Sequence, residues 1–290
     1  TIYDWMRKLG VSIRMKRVEI ERDKLIEMYL SNDKSTLEIA KKLKCSSSAI
    51  SYKLRKLKIS KSPSQARNRY KKFNFSGNLI EKAYLIGFRI GDLWVHKTNI
   101  KSETIFVNCH TTCDDQVLLM KKLFSRYGKV SITFNDRSRS FSVNCYLNKT
   151  FSFLLPKIDS IDKWILHKKS YMASFVAGYI DAEGSFSVHQ NRGRFKIDSY
   201  DKTILYQTNE WLLQNKIRSK LRLIYKKGEL CPGSTVLFRK DLWRLNINEA
   251  NSLLEFIKIF KPLIKHKKRL QDLIKCEKNV AFRKSRKTIK

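Results

Sequence analysis

Two acidic residues in this sequence, Asp92 and Glu183, each follow an apolar segment, and the two segments resemble each other. Residues 83–95 read AYLIGFRIGDLWV, and residues 174–186 read SFVAGYIDAEGSF. An alignment of the two segments matches Gly87 with Gly178, Gly91 with Ala182 and Asp92 with Glu183. Small residues four positions apart share one face of a helix and let two helices pack closely. If the two predicted helices pair, both acids arrive at the same end.

Two carboxylates held close together are suited to metal-assisted hydrolysis. They repel each other and stay ionised most readily with a cation between them, and oxygen ligands of this kind suit Mg²⁺. A phosphodiester bound at the same place could be hydrolysed with the help of the metal. One such acid alone would be interpreted more simply as a solvated residue at the end of a core helix. Two acids at corresponding places of a duplicated chain favour the catalytic interpretation.

A basic tripeptide also recurs. The chain around the two segments is duplicated as two halves. His167-Lys168-Lys169 ends the first half, and His266-Lys267-Lys268 ends the second. Because Lys168 and Lys267 each lie past the last predicted helix of their half, we expect one ammonium group from each half to approach the acids. There it could stabilise phosphorane charge or position a water molecule. The alternative, which the abundance of lysine leaves open, is that both residues contact phosphates at the protein surface.

The segments that must position these groups alternate between strands and helices. Apolar patterns predict strands at 93–99, 104–110, 130–134, 141–146, 185–190, 194–199, 220–225 and 237–247. They predict helices around 117–124, 148–155, 204–213 and 249–260. Pairs of strands alternating with helices indicate the α+β class. Between 141 and 147 the apolar side chains share one face of a strand, and we expect the opposite, basic face of the sheet to fit a DNA groove.

Residues 35–59 have the pattern of a helix-turn-helix, a small all-α region. Apolar residues form one helical stripe before the serines at 46–48 and a second stripe after them. The outward positions of the second helix, where such motifs carry DNA-reading residues, are Ser51, Tyr52, Lys53 and Arg55. A plain helical hairpin with a solvated basic face is the alternative. Residues 1–12 repeat residues 49–60 in register, which predicts an earlier, truncated copy.

The composition points to a polyanionic partner. The 290 residues include 61 Lys and Arg against 26 Asp and Glu, for a net charge of +35. The basic residues are spread through periodic segments, whereas a lipid-binding tail would concentrate them, so nucleic acid is the expected partner and a membrane is not. No apolar run approaches the roughly 18 residues of a membrane helix. The six scattered cysteines suit a reducing compartment, so we expect an intracellular protein of the cytoplasm, nucleoid or organelle matrix.

The duplicated segments resemble the LAGLIDADG homing endonucleases, in the form with two motifs on one chain. Residues 176–184, VAGYIDAEG, are a close match, and residues 85–93, LIGFRIGDL, are a weaker one. The resemblance extends over about residues 79–280. It implies two pseudo-symmetric αββαββα halves that form a saddle on double-stranded DNA. It also implies a site-specific endonuclease that hydrolyses phosphodiester bonds of both DNA strands with a divalent metal.

The resemblance further implies roles for individual residues. It assigns Mg²⁺ to Asp92 and Glu183, assisted by the backbone carbonyls of Gly91 and Ala182, with Lys168 and Lys267 as the nearby basic residues. Mn²⁺ is expected to be able to replace Mg²⁺. The candidates for DNA contact on and beside the strands are Lys97, Asn99, Asn108, His110, His189, Gln190, Arg192, Arg194, Lys196, Arg222, Lys226, Arg239 and Arg244. Arginine and lysine suit guanine, whereas asparagine and glutamine suit adenine.

These observations together predict six segments. They are a truncated helix-turn-helix remnant at 1–19, a helix-turn-helix at 20–60, a basic linker at 61–78, the two halves at 79–169 and 170–280, and a basic tail at 281–290. We expect a monomer, because one chain carries both halves, and an intron-encoded enzyme, because the terminal residues of protein splicing are absent. The alternative function is a DNA-binding regulator or an intron RNA maturase that uses the same fold without cleavage, which would make intron RNA a partner.

Overall fold

The chain divides into two compact units, residues 1–69 and residues 70–290. The computed structural model describes residues 8–10, 20–32, 34–60 and 70–286. Most of the remnant predicted at 1–19 therefore lies outside the described residues, as does the first part of the predicted linker. Among the helices in these ranges, none combines the length and the apolar character needed to cross a membrane.

The first unit consists of short helices around a small apolar core. Its elements are α1 (Arg22–Ile26), a π-helical turn (Glu27–Ser31), α2 (Thr36–Lys42) and α3 (Ser47–Lys56). Ser35 and Glu38 begin α2 with a capping box, in which each side chain accepts a hydrogen bond from the backbone amide of the other, at 3.2 and 2.7 Å. Leu25, Ile39 and Ile50 are buried in the core. The two helices predicted within residues 35–59 are therefore present.

The turn between α2 and α3 holds Lys44 in the left-handed backbone region, with a φ of +48°. A side chain destabilises this conformation, whereas glycine adopts it freely. We therefore expect Lys44→Gly to stabilise the first unit by about 0.5–1 kcal/mol, measured as slower amide hydrogen exchange in α3 of the full chain. Lys41→Gly, within α2, is the control and should destabilise the unit by about 1 kcal/mol. Faster exchange in Lys44→Gly would contradict the explanation.

The first half of the second unit is a four-stranded antiparallel sheet with helices packed on one face. Its elements are α4 (Leu79–Gly91), β1 (Trp94–His96), β2 (Thr104–Thr111), α5 (Asp114–Phe124), β3 (Val130–Asn135), β4 (Ser140–Asn148), a 3₁₀ helix (Lys149–Leu154) and α6 (Lys163–Leu166). The strand order is β1-β2-β4-β3. Val143, Cys145 and Leu147 are buried on one face of β4, as predicted. The prediction that the opposite face is basic is wrong for this sheet, because its strands contain no charged residue.

The second half repeats this arrangement. Its elements are α7 (Lys169–Glu183), β5 (Gly184–His189), β6 (Arg192–Ser199), α8 (Lys202–Gln214), β7 (Lys220–Tyr225), β8 (Leu242–Ile247), α9 (Ala250–Phe260) and α10 (Lys267–Ser285). The strand order β5-β6-β8-β7 matches that of the first half. The predicted α+β class with two similar halves is therefore confirmed. The additional helix α10 packs against β5 and β6 and buries Leu273, Cys276 and Val280.

The two halves meet along α4 and α7, whose backbones are in direct contact. A methyl group added to Gly87 would overlap the carbonyl of Phe175, and one added to Gly178 would overlap the carbonyl of Tyr84. Across the same contact, the Tyr84 hydroxyl donates a hydrogen bond to Asp181 Oδ2 at 2.6 Å. The close helix pairing predicted from the small residues is therefore observed.

Two segments predicted to be extensions belong to the fold. Within the linker predicted at 61–78, Phe75 packs its ring against those of Tyr127 and Phe151 at centroid distances of 5.8 and 5.4 Å. Residues 70–78 thus join the first half, because aromatic burial holds them there. The basic tail predicted at 281–290 begins inside α10, which continues to residue 285.

Arg89 is a charged residue inside an apolar helix, and the last strand is shorter than predicted. Arg89 is buried in α4, where its Nε donates to the carbonyl of Leu154 at 2.9 Å and its Nη1 donates to the carbonyl of Leu93. These hydrogen bonds satisfy a charged group within an otherwise apolar helix. The strand predicted at 237–247 begins only at Leu242, because the preceding residues form an excursion between β7 and β8.

Candidate active site and nucleic-acid interface

Asp92 and Glu183 come together at the C-terminal ends of α4 and α7. Asp92 is the residue at which α4 ends, and Glu183 is the last residue of α7. Gly91 lies against the other helix, where an added methyl group would stand 2.5 Å from Ala182 Cβ and 2.8 Å from Glu183 Cγ. The four predicted ligand positions therefore form one cluster, because the helices approach closely at their small residues.

Burial raises the pKa of both carboxyl groups. The pKa of Asp92 is raised to about 7, first by burial and then by the charge of Glu183. The pKa of Glu183 is raised by burial and by the charge of Asp201. The positive charges of Arg269 and Lys157 act to lower the pKa of both acids. Two partly buried carboxyl groups with raised pKa values make a site at which a cation would be stabilised.

The donor set fits a divalent cation that retains water ligands. Carboxylate and carbonyl oxygens suit Mg²⁺, which binds through few protein groups and keeps several waters. Among the residues that the structure describes, no three His, Cys, Asp or Glu side chains are grouped as metal ligands. At this site the described residues that could act as ligands are Asp92 and Glu183, with the carbonyls of Gly91 and Ala182. The Ala182 carbonyl also accepts a hydrogen bond from Arg269 Nη2 at 3.3 Å.

Gln116 orients the first acid. It is buried in α5, and its Nε2 donates a hydrogen bond to Asp92 Oδ2 at 2.5 Å. The sequence reasoning did not identify this residue. The signal that could have found it is a polar amide among the apolar positions of a predicted amphipathic helix, since buried amides require hydrogen-bond partners.

The raised pKa of Asp92 makes the stability of the metal-free protein depend on pH. With a folded pKa of about 7 against an ordinary value of 3.8, the folded protein holds a proton between these values that the unfolded chain has released. The contribution of Asp92 to the free energy of unfolding therefore falls as the pH rises from about 4 to about 7. We expect the difference in stability between Asp92→Asn and the wild type to grow in favour of the variant over this range. Urea unfolding in EDTA at pH 5 and pH 7.5 measures it, and a constant difference would contradict the shifted pKa.

The structure does not bring Lys168 to the acids. Lys168 precedes the first residue of α7, whereas Glu183 is its last residue, and a helix of 15 residues is about 22 Å long. The Lys168 ammonium instead lies 5.0 Å from the ring centre of Tyr171. The catalytic role predicted for Lys168 is therefore corrected, because the helix separates it from the acid pair by several times the length of a lysine side chain.

Two cations other than Lys267 act on the acids. Lys267 is the exposed first residue of α10, and Arg269, two residues later, contacts the Ala182 carbonyl and acts on both acids. Lys157, in the loop after the 3₁₀ helix, is the second cation that acts on both acids. The structure therefore adds Arg269 and Lys157 as cations near the acids, and the role predicted for Lys267 stays a prediction.

Five DNA-contact candidates of the second sheet share one face. They are Arg192, Arg194 and Lys196 on β6, Arg222 on β7 and Arg244 on β8. Asp198 lies among them and accepts hydrogen bonds from Arg244 Nε at 2.5 Å, from Arg244 Nη2 at 2.7 Å and from Lys196 Nζ at 3.1 Å. His189 and Gln190 are exposed at the turn between β5 and β6, and Lys226 and Arg239 are exposed in the excursion between β7 and β8.

The candidates of the first sheet are more dispersed. Lys97 and Asn99 lie in the turn between β1 and β2, and His110 is exposed near the end of β2. Asn108 is buried, and its amide nitrogen donates to Asn144 Oδ1 at 2.5 Å. The role predicted for Asn108 in reading bases is therefore corrected to one of tying two strands together.

In the first unit, two of the four predicted DNA-reading residues turn toward their own unit. The Ser51 hydroxyl donates to the Ser47 carbonyl at 2.9 Å, and the Lys53 ammonium donates to the Ile20 carbonyl at 2.8 Å. The prediction that Ser51 and Lys53 face outward is therefore corrected. Tyr52 and Arg55 are exposed on α3, as predicted.

Comparisons with solved structures give similar chains at low sequence identity. The crystal structure of I-DmoI in complex with DNA and Mn is 19% identical, covers 63% of this chain and 97% of its own, and has a TM-score of 0.46. Full-length DUF199/WhiA from Thermatoga maritima is 17% identical, covers 73% of this chain and 63% of its own, and has a TM-score of 0.45. The N-terminal LAGLIDADG domain of DUF199/WhiA is 16% identical, covers 65% of this chain and 86% of its own, and has a TM-score of 0.43.

The sequence comparisons find a family match for one half of the second unit. No curated protein matches the sequence significantly. Residues 170–261 match the family model described as a LAGLIDADG-like domain. This range begins at the start of α7 and ends just after α9, so it contains Glu183 at the end of its first helix and the whole second sheet. The resemblance predicted for the second motif is thereby confirmed, since residues 170–261 of this chain are similar to a LAGLIDADG-like domain.

Proposed function

We propose that this protein is a site-specific endonuclease of the homing type that hydrolyses both strands of double-stranded DNA. The observation that carries the proposal is the acid pair, Asp92 and Glu183, partly buried and close together where two packed helices end. A purely structural role would not favour two partly buried carboxyl groups whose pKa values are both raised. A role in holding a divalent cation on a phosphodiester does favour them.

Each residue of the cluster would have its own role in hydrolysis. Asp92 and Glu183 would hold Mg²⁺, with the carbonyls of Gly91 and Ala182 available as further ligands, and the ion would supply Lewis-acid activation of phosphate and water. Gln116 fixes the orientation of the Asp92 carboxylate. Arg269 and Lys157 bring positive charge to the acids' surroundings and would stabilise the negative charge that develops on the phosphate.

Duplex DNA is the polyanion that best matches the rest of the surface. The cations of the second sheet lie on one face, and such residues neutralise phosphates and make binding depend steeply on salt. The first unit, with Tyr52 and Arg55 exposed on α3, would lengthen the contact as a helix-turn-helix does. Because one chain carries both acids, the active species would be a monomer.

Cleavage of a plasmid library with random duplex inserts tests the proposal. The full chain is incubated with the library in Mg²⁺, in Mn²⁺ and in EDTA, and the cut ends are sequenced. We expect cut products with a common sequence in Mg²⁺ and in Mn²⁺, and none in EDTA. Sequence-specific binding without cutting in either metal would overturn the nuclease and favour a DNA-binding regulator. Preferential binding to structured intron RNA, without specific binding to duplex DNA, would favour a maturase.

A further inference from the structure

The two sheets, which have the same strand order, differ sharply in charge. The four strands of the first sheet contain no Lys, Arg, Asp or Glu. The strands of the second sheet carry six cations and one acid. These residues are Arg192, Arg194, Lys196, Asp198, Lys220, Arg222 and Arg244. Their register places all seven on the face opposite the buried Phe195, Ile197 and Leu245.

The corresponding face of the first sheet presents aromatic rings and neutral polar groups. Trp94, His96, Phe106 and Tyr146 form a continuous row, with successive ring centroids 4.1, 5.1 and 4.7 Å apart. Trp94, at one end of the row, is 61% exposed. Beside the row lies an amide and hydroxyl cluster in which Asn144 bonds to Asn108. The strands of this face supply aromatic rings and the amide of Asn144 but no cation. Two lysines from outside the strands lie at its edge: Lys72 donates a hydrogen bond to Thr104, and the Lys129 ammonium lies 3.9 Å from the ring centre of Tyr70, which packs on Tyr146.

Two cations of the second face, Arg244 and Lys196, are held in defined positions. Asp198 accepts from two nitrogens of Arg244 and also from Lys196. A guanidinium held on one side by a carboxylate has a fixed plane and fewer free rotamers, so it loses less entropy on binding. Arg194 lies two residues before Lys196 on β6, and Arg222 is paired with Arg244 on the neighbouring strand β7. The face is therefore built for oriented hydrogen bonding as well as for charge neutralisation.

We infer that the two halves of the DNA target differ in base composition, with A·T pairs at the positions read by the first sheet and guanines at those read by the second. In the major groove, Arg and Lys pair with the O6 and N7 acceptors of guanine, amides pair with adenine, and apolar groups contact the thymine methyl. The inference rests on the proposed binding of duplex DNA and adds the base composition of each half of the target.

A binding selection with two reciprocal variants tests the inference. The full chain selects duplexes from a random library in Ca²⁺, and footprinting places the two halves of the site. Arg222 and Thr133 are exposed on corresponding edge strands, β7 and β3, and both lie on the open faces. The variants Arg222→Thr and Thr133→Arg exchange the side chains of these two positions. Because both positions are exposed, folding is expected to be unaffected.

We expect one half of the selected site to be rich in A·T and the other to contain defined guanines. Arg222→Thr should lower the preference for one guanine about tenfold and leave the A·T half unchanged, and Thr133→Arg should create a new guanine preference within that half. Specific binding with the same composition in both halves, or variants whose effects fall in the wrong half, would overturn this inference and leave the endonuclease proposal standing. Absence of sequence-specific duplex binding would overturn both.

Discussion

Replacing Asp92 by asparagine, or Glu183 by glutamine, is expected to lower the rate of DNA cleavage about a thousandfold while DNA binding stays at least as tight. Both substitutions preserve the shape of the side chain and remove the charge that would hold a divalent cation. Metal ions contribute several kcal/mol of charge stabilisation in such reactions, and about 4 kcal/mol corresponds to a thousandfold in rate. Affinity is not expected to fall, because each variant removes a negative charge from a surface that faces phosphates.

The measurement separates catalysis from binding. Initial rates of cleavage of the selected target are compared in Mg²⁺, and affinities are determined by titration in Ca²⁺. Glu255→Gln, an exposed residue of α9, is the matched control and should cleave at the wild-type rate. Retention of the wild-type cleavage rate by either acid variant, with binding intact, would exclude the acid pair as the catalytic centre.

Gly178→Ala is expected to destabilise the second unit by about 3 kcal/mol. At an exposed helical position the same change would stabilise by about 1 kcal/mol, so the expected sign is opposite to that of helix propensity. The reason is that the added methyl would overlap the Tyr84 carbonyl, which is backbone and cannot turn aside. The two central helices would have to separate, and the acids at their ends would move apart, so cleavage should fall together with stability.

Guanidinium unfolding followed by tryptophan fluorescence measures this change, because four of the five tryptophans lie in residues 70–290. Ser170→Ala, at an exposed position of α7, is the control and should change stability by less than about 0.5 kcal/mol. A variant at Gly178 as stable as the wild type would show that the helices can relax around a side chain, and the close-packing explanation would be abandoned.

The sequence was sufficient for features that depend on local spacing and on repetition. Glycines and alanine four residues apart predicted which helix faces meet, because helical periodicity fixes which side chains share a face. The acids were found because each occupies the same place in a duplicated segment. The α+β class followed from alternating strand and helix patterns. The same reasoning failed for residues 70–78, where polar composition concealed the aromatic anchor Phe75.

What the sequence by itself determined is therefore the pairing of α4 with α7 and the identity of the two acids at their ends. Only the tertiary structure decided which partners reach those acids: Gln116 and Arg269 do so, and Lys168 does not. The physical reason is that hydrogen bonds and charge interactions depend on distances between elements far apart in the chain, and sequence spacing does not record these distances. The same holds for the sheet faces. Strand order and register place six cations on the open face of the second sheet and an aromatic row on the open face of the first.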